Sequence, residues 1–192
     1  MKKLFFGVLF IFLTSLAPRG FCADPQPAAH EAPLKMGVEG GYFSCELPGD
    51  WKMETTDKPA WKVSHLTLLG PRAEGAPVMI SIFYFGDDNG YGDSLEDFIE
   101  PNTWDPWEEK AVATAQKIDL HGISASVFEK EFESSTDVES PYAARVLMKD
   151  KHYVFPSRDG KGFFVLHYTA PKSVYGQHLP IFEKIANTFT IL

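Results

Sequence analysis

The stretch "YAARVLMKDKHYVFPSRDGKGFFVLHYTAP", Tyr142 to Pro171, decides the fold. Two runs that alternate, or are rich in β-branched and aromatic residues, flank "RDGKG", Arg158 to Gly162. Such runs fit a pleated, half-buried surface. The Asp-Gly between them is the chemistry of a tight hairpin. The stretch therefore predicts two antiparallel strands. Just beyond it the period changes. Val174, Tyr175, Leu179, Phe182, Ile185 and Ala186 form one apolar stripe at helical spacing. Pro180 interrupts that stripe, which predicts a helix starting near it with Pro180 in the first turn. "TFTIL" closes the chain as a short strand or tail.

Working outward, "GYFSCELPGDWKME" reads as a strand, a Pro-Gly turn and a second short strand. "WKVSHLTLLG" and "APVMISIFYFG" are two more strands, each ended by Gly, the second apolar enough to be central. "SLEDFIE" is a short helix: Ser94 and Asp97 resemble a capping box, Leu95, Phe98 and Ile99 share a face, and Pro101 ends it. "KAVATAQKIDL" and "ISASVFEKEFE" resume the strands. Many strands with two helices and no β-α-β alternation predict an α+β fold, an antiparallel β-sheet flanked by helices.

The first residues are set apart. Lys2 and Lys3 precede an apolar run from Leu4 to Leu13, the pattern of a secretory signal peptide over residues 1–22. That run is shorter than the roughly 20 residues of a membrane-spanning helix. Residues 23–39 are Pro- and Ala-rich and read as a flexible linker, and one folded domain is expected over 40–192. The expected location is outside the cytoplasm, periplasmic rather than lipid-anchored at Cys22. Loss of residues 1–22 removes Lys2, Lys3 and Arg19 and no acid, leaving 15 basic against 26 acidic residues, a net charge of −11. That balance excludes nucleic acid and anionic membrane surfaces as partners, both of which need basic patches. Cys45, in the strand-like "YFSCEL", is expected to be a buried structural thiol.

Two segments resemble the PsbP-like family. One is "GYFSCELPGDW", Gly41 to Trp51, an aromatic-led strand followed by Leu-Pro-Gly-x-Trp. The other is "GFFVLHYTAPKSVYGQHLPIFEKIANTFTI", a strand, a "TAP" loop, a helix with spaced aromatics and a "TF" tail. The resemblance implies an α/β/α sandwich and an exported accessory or binding role. It carries over no catalytic residue and no photosynthetic role.

Candidate sites are few. In "FGDDNGYGD" the acids Asp87, Asp88 and Asp93 suggest a cation loop. The EF-hand register fails, because Tyr91 and Phe98 fall where ligands are needed. Gly, Asn and Asp are also what a polar turn favours. The six histidines show no i,i+4 or H-x-H pair, although His65 and His167 lie in strands and can meet across the sheet. No G-x-S-x-G elbow or phosphate loop is present, so no catalytic residue and no cofactor are expected. Trp104 and Trp107 stand in the polar run "NTWDPWEE", either as partner anchors or sugar-stacking platforms, or folded back as a lid over the sheet.

These readings give an exported, non-enzymatic accessory or binding protein of a bacterial cell envelope, docking an unknown protein or small ligand. The alternative is a divalent-cation-binding periplasmic protein using the Asp87–Asp93 loop. A hydrolase assembled from Cys45 and distant histidines comes third.

Overall fold

The computed structural model describes residues 34–38, 41–58, 62–92, 94–136 and 143–192. The signal segment and most of the expected linker lie outside them.

Seven strands form one antiparallel sheet in the order β3-β4-β5-β11-β10-β9-β8. They are β3 (Lys52–Lys58), β4 (Val63–Ala73), β5 (Ala76–Phe85), β8 (Gln116–Leu120), β9 (Ile123–Ser135), β10 (Arg145–Pro156) and β11 (Phe163–Pro171). A small second sheet joins β1 (Leu34–Val38), β2 (Gly41–Cys45) and β12 (Thr190–Ile191). β1 pairs antiparallel with β2 and falls inside the segment expected to be linker. Helices α1 (Leu95–Thr103) and α2 (Tyr175–Thr188) complete the fold, with a two-residue hairpin of β6 (Trp104–Asp105) and β7 (Lys110–Ala111) after α1. The architecture is α+β, built on a large antiparallel sheet.

Strand alternation sends neighbouring residues to opposite faces, and β10 shows the result. Tyr153 and Phe155 enter a core with Phe164, Leu166 and Tyr168 of β11 and Phe182 and Ile185 of α2. Val154, between them, joins Phe85, Phe128, Phe163 and Val165, against which Leu95, Phe98 and Ile99 of α1 pack. Each helix thus contributes its apolar stripe to a different set of strand positions. Cys45 is fully buried in the α2-side core, and burial pushes its thiol up to about 12.

Three boundaries differ from the sequence reading. Pro101 sits inside α1 and does not end it. Side chains add bonds to the carbonyls of its last turns: Asn102 Nδ2 donates to Phe98 O at 2.9 Å, and Thr103 Oγ1 to Ile99 O at 2.9 Å. α2 starts at Tyr175, so Pro180 lies in its second turn. The missing Pro180 N–H leaves the carbonyl of Gly176 unpaired, at an exposed position where water can reach it. β4 runs on past Gly70. There the missing side chain makes room for the Trp51 indole, whose ring atoms would lie 2.7 Å from an added Cβ.

The β10–β11 hairpin forms as read. Its turn is fixed by Ser157 and Asp159: Ser157 Oγ lies 2.7 Å from Asp159 Oδ1, which also accepts from Lys161 N at 3.1 Å. Gly162 ends the turn, where an added Cβ would stand 2.3 Å from the backbone oxygen of Phe85. Gly162→Ala must therefore displace backbone. It is expected to cost about 1–3 kcal/mol, the usual range for overpacking, seen as a lowered midpoint in chemical denaturation.

Candidate functional site

The polar cluster of the sheet grows out of the hairpin register. β10 pairs with β11 so that His152 faces His167, and with β9 so that His152 faces Phe128. The three rings stack in a row across three strands. Phe128 and His152 lie 4.5 Å apart at 14°, and His152 and His167 lie 4.3 Å apart at 12°. Asp150, two residues before His152 and so on the same face, brings Oδ2 to 3.2 Å from His167 Nε2. That distance suits an ion pair, although Nε2 makes no hydrogen bond. One ligand-capable atom from each of Asp150, His152 and His167 lies within 4.8 Å of the other two.

Asp150 and His152 are buried and His167 is half-buried. Asp150 Oδ1, His152 Nδ1 and His167 Nε2 are all buried without a hydrogen-bond partner. A buried orphan of this kind costs about 1–3 kcal/mol, so three together call for a physical explanation such as an ion. Burial holds the His152 imidazole well below its ordinary value, and the charges of His167 and Lys130 add to the effect. Lys130 faces Asp150 in the register, and its ammonium donates to Asn102 Oδ1 at 2.8 Å. Its own proton affinity is lowered by burial, against the pull of Asp150.

Beside the cluster lies a groove of about 550 Å³ between α1, the β6–β7 hairpin and strands β9 and β10. Trp104, Trp107, Val112 and Phe132 line it, with Asn102, Lys130 and Asp150 among its polar groups. Trp107 is 93% exposed and Trp104 45%. Neither closes over the sheet as a lid. Asp105 accounts for this: its Oδ1 accepts from Trp107 N at 2.8 Å and Glu108 N at 3.2 Å, forming a turn that holds Trp107 outward. A smaller groove of about 270 Å³ reaches His167, Thr169, Met148 and the other side of Phe132.

The expected cation loop is arranged differently. Asn89 is buried and spends its amide on the loop backbone, donating to Gly86 O at 3.0 Å and Gly92 O at 2.7 Å. Asp87 and Asp88 are exposed, and Asp88 lies 3.5 Å from Lys62 Nζ. Asp93 falls outside the described residues. His65 stacks on Phe83 at 5.1 Å, so the strand histidine that meets His167 is His152. Cys45 belongs to the α2-side core, on the other face from the histidines. Among the described residues, no helix is long and apolar enough to cross a membrane.

No family model matches the chain, and no curated protein matches it. Three solved structures are similar in part. One is a Bacteroides thetaiotaomicron protein at 14% identity, over 78% of this chain and 45% of that one, with a TM-score of 0.47. This chain thus spans less than half of that protein. LpqN of Mycobacterium tuberculosis, involved in cell envelope biogenesis, is 15% identical over 83% of this chain and 89% of its own, at 0.45. PA94 of Pseudomonas aeruginosa, a protein of unknown function, is 10% identical over 81% and 94%, at 0.41. The likeness in each case is one of partial fold.

The state of His152 sets a pH dependence. The folded chain keeps His152 neutral where the unfolded chain protonates it near its ordinary 6.5. Below that pH the unfolded state binds more protons, so stability is complete above about 6.5 and falls as pH drops toward the folded value. His152→Phe keeps a ring against Phe128 and cannot titrate. With chelator present, the native protein is expected to lose stability relative to His152→Phe between about pH 7 and 5, by up to ~1.4 kcal/mol per pH unit. Denaturant midpoints across that range give the comparison.

Proposed function

We propose that the chain is an exported, non-enzymatic binding module of the cell envelope that takes a small saccharide-like ligand between Trp104 and Trp107. One observation carries this reading. Eight large apolar side chains are strongly exposed among the described residues, and four of them, Trp104, Trp107, Val112 and Phe132, line a single groove. Scattered exposed apolar residues are ordinary, but a convergent set marks a binding surface. Sugar rings offer flat C–H faces for indoles and hydroxyls that donate to carboxylates and amides. Asn102 and Asp105 supply such acceptors in the same groove. A net charge of −8 for the whole chain suits a neutral or cationic ligand better than an acidic one.

The signal-like N-terminus supports an envelope location. The sequence resemblance to PsbP-like proteins supports a sandwich-type accessory fold acting by docking. The buried Cys45 thiol, pushed up to about 12, has little of the thiolate character that nucleophilic catalysis requires.

Titration of the purified chain with soluble cell-wall oligosaccharides, followed by calorimetry, tests the proposal. Trp104→Ala and Trp107→Ala are each expected to weaken binding about fivefold or more, the range of a buried aromatic anchor. Their exposed positions leave the fold intact. Absence of saccharide binding, or binding unchanged in both variants, contradicts the reading.

A further inference from the structure

We infer that Asp150, His152 and His167 form a binding site for a borderline divalent transition metal of the zinc class. The donor set is two imidazole nitrogens and one carboxylate, which suits zinc better than calcium or magnesium, both of which prefer all-oxygen sites. The site stands apart from the Asp87–Asp88 turn and goes beyond the saccharide groove.

Three observations carry the assignment. The ligand atoms already lie within 4.8 Å of one another. One atom of each residue is buried and lacks a hydrogen-bond partner, so coordination would satisfy three groups at once. The Asp150 carboxylate and His167 Nε2 stand 3.2 Å apart. That is close to the separation of two ligands around one tetrahedral ion.

The stacked rings define what must move. A metal lies in the plane of each imidazole it binds, and two parallel rings 4.3 Å apart cannot both meet that condition. His152 is held between Phe128 and His167. His167 is more exposed and lines the smaller groove, so it is the ring that turns. Three protein ligands leave one tetrahedral position for water or an exogenous donor. Lys130 opposes the ion as the charge facing Asp150. Asn102 draws its ammonium aside, accepting from it at 2.8 Å.

The test is calorimetry of the chelator-washed chain with zinc chloride, with cobalt(II) absorption reporting geometry. Binding of one ion with a Kd of about 1 µM or tighter is expected. Asp150→Asn and His167→Gln should each weaken it by about 100-fold or more, beyond the 10–100-fold typical of residues that only support a ligand. Lys130→Met should tighten it. Ring-nitrogen NMR of the native chain supplies a readout that needs no variant. Zinc should shift the nitrogens of His152 and His167 and leave those of His65, His121 and His178 in place. No binding at about 1 mM zinc overturns the inference. So does binding that persists in both folded variants, or a shift confined to other histidines, which would place the ion elsewhere.

Discussion

The pairing of β10 with β11 is the constraint on which the rest of the molecule depends. Its register runs from Met148 opposite Pro171 to Pro156 opposite Phe163 without a break. The turn fixes that register through a closed set of bonds: Ser157 N donates to Gly162 O at 2.8 Å, and Gly162 N returns to Ser157 Oγ at 3.1 Å. A slip of one residue would turn one strand's side chains to the other face relative to its partner's. Tyr153 and Phe155 would then fall on the face of His167, and His152 on the face of Leu166 and Tyr168. The large apolar core thus forbids any arrangement except the one that brings Asp150, His152 and His167 together.

The two faces divide the work. On the α2 side, rings and aliphatic chains fill the core, and its edge is closed by charge pairs. Lys151 lies 2.7 Å from Glu183, and Tyr153 OH donates to Glu183 at 2.8 Å. On the other side, α1 covers only part of the strands. Beyond it the sheet presents a polar row: His152, His167 and Ser81 follow in register, and Ser81 Oγ lies 3.3 Å from Thr67 Oγ. The groove with the tryptophans opens beside this row, at Asp150. Stability rests mainly on the first face, which leaves the second free to carry polar groups that would weaken a core.

Much of the fold was legible in the sequence, because alternation, the Asp-Gly turn, the capping box at Ser94 and the apolar stripe of α2 are local signals. The Ser94 box is present, with Asp97 N donating to Ser94 Oγ at 3.2 Å and Ser94 N to Asp97 Oδ2 at 3.0 Å. The helix bounds at Pro101 and Pro180 differ from the reading because each proline removes a single backbone bond, which the packing of the helix's apolar stripe outweighs. β1 was missed because its strand is short and lies in Pro- and Ala-rich surroundings, where pairing with β2 decides. The tryptophans offered two readings, and the turn made by Asp105 accounts for the absence of a lid. The metal-like cluster was hidden for another reason. Spacing rules look for ligands on one element, whereas these meet across two strands. The signal was nevertheless present: His152 and His167 each stand four residues from the strand end at the turn, so an in-register hairpin pairs them.

Diffraction at the zinc absorption edge, on crystals grown with the metal, tests this organisation most directly. The account predicts a single strong anomalous peak bounded by Asp150, His152 and His167, with the His167 ring turned out of its stack on His152. A peak confined to the Asp87–Asp88 turn, or no peak near the β10–β11 pair, would contradict it.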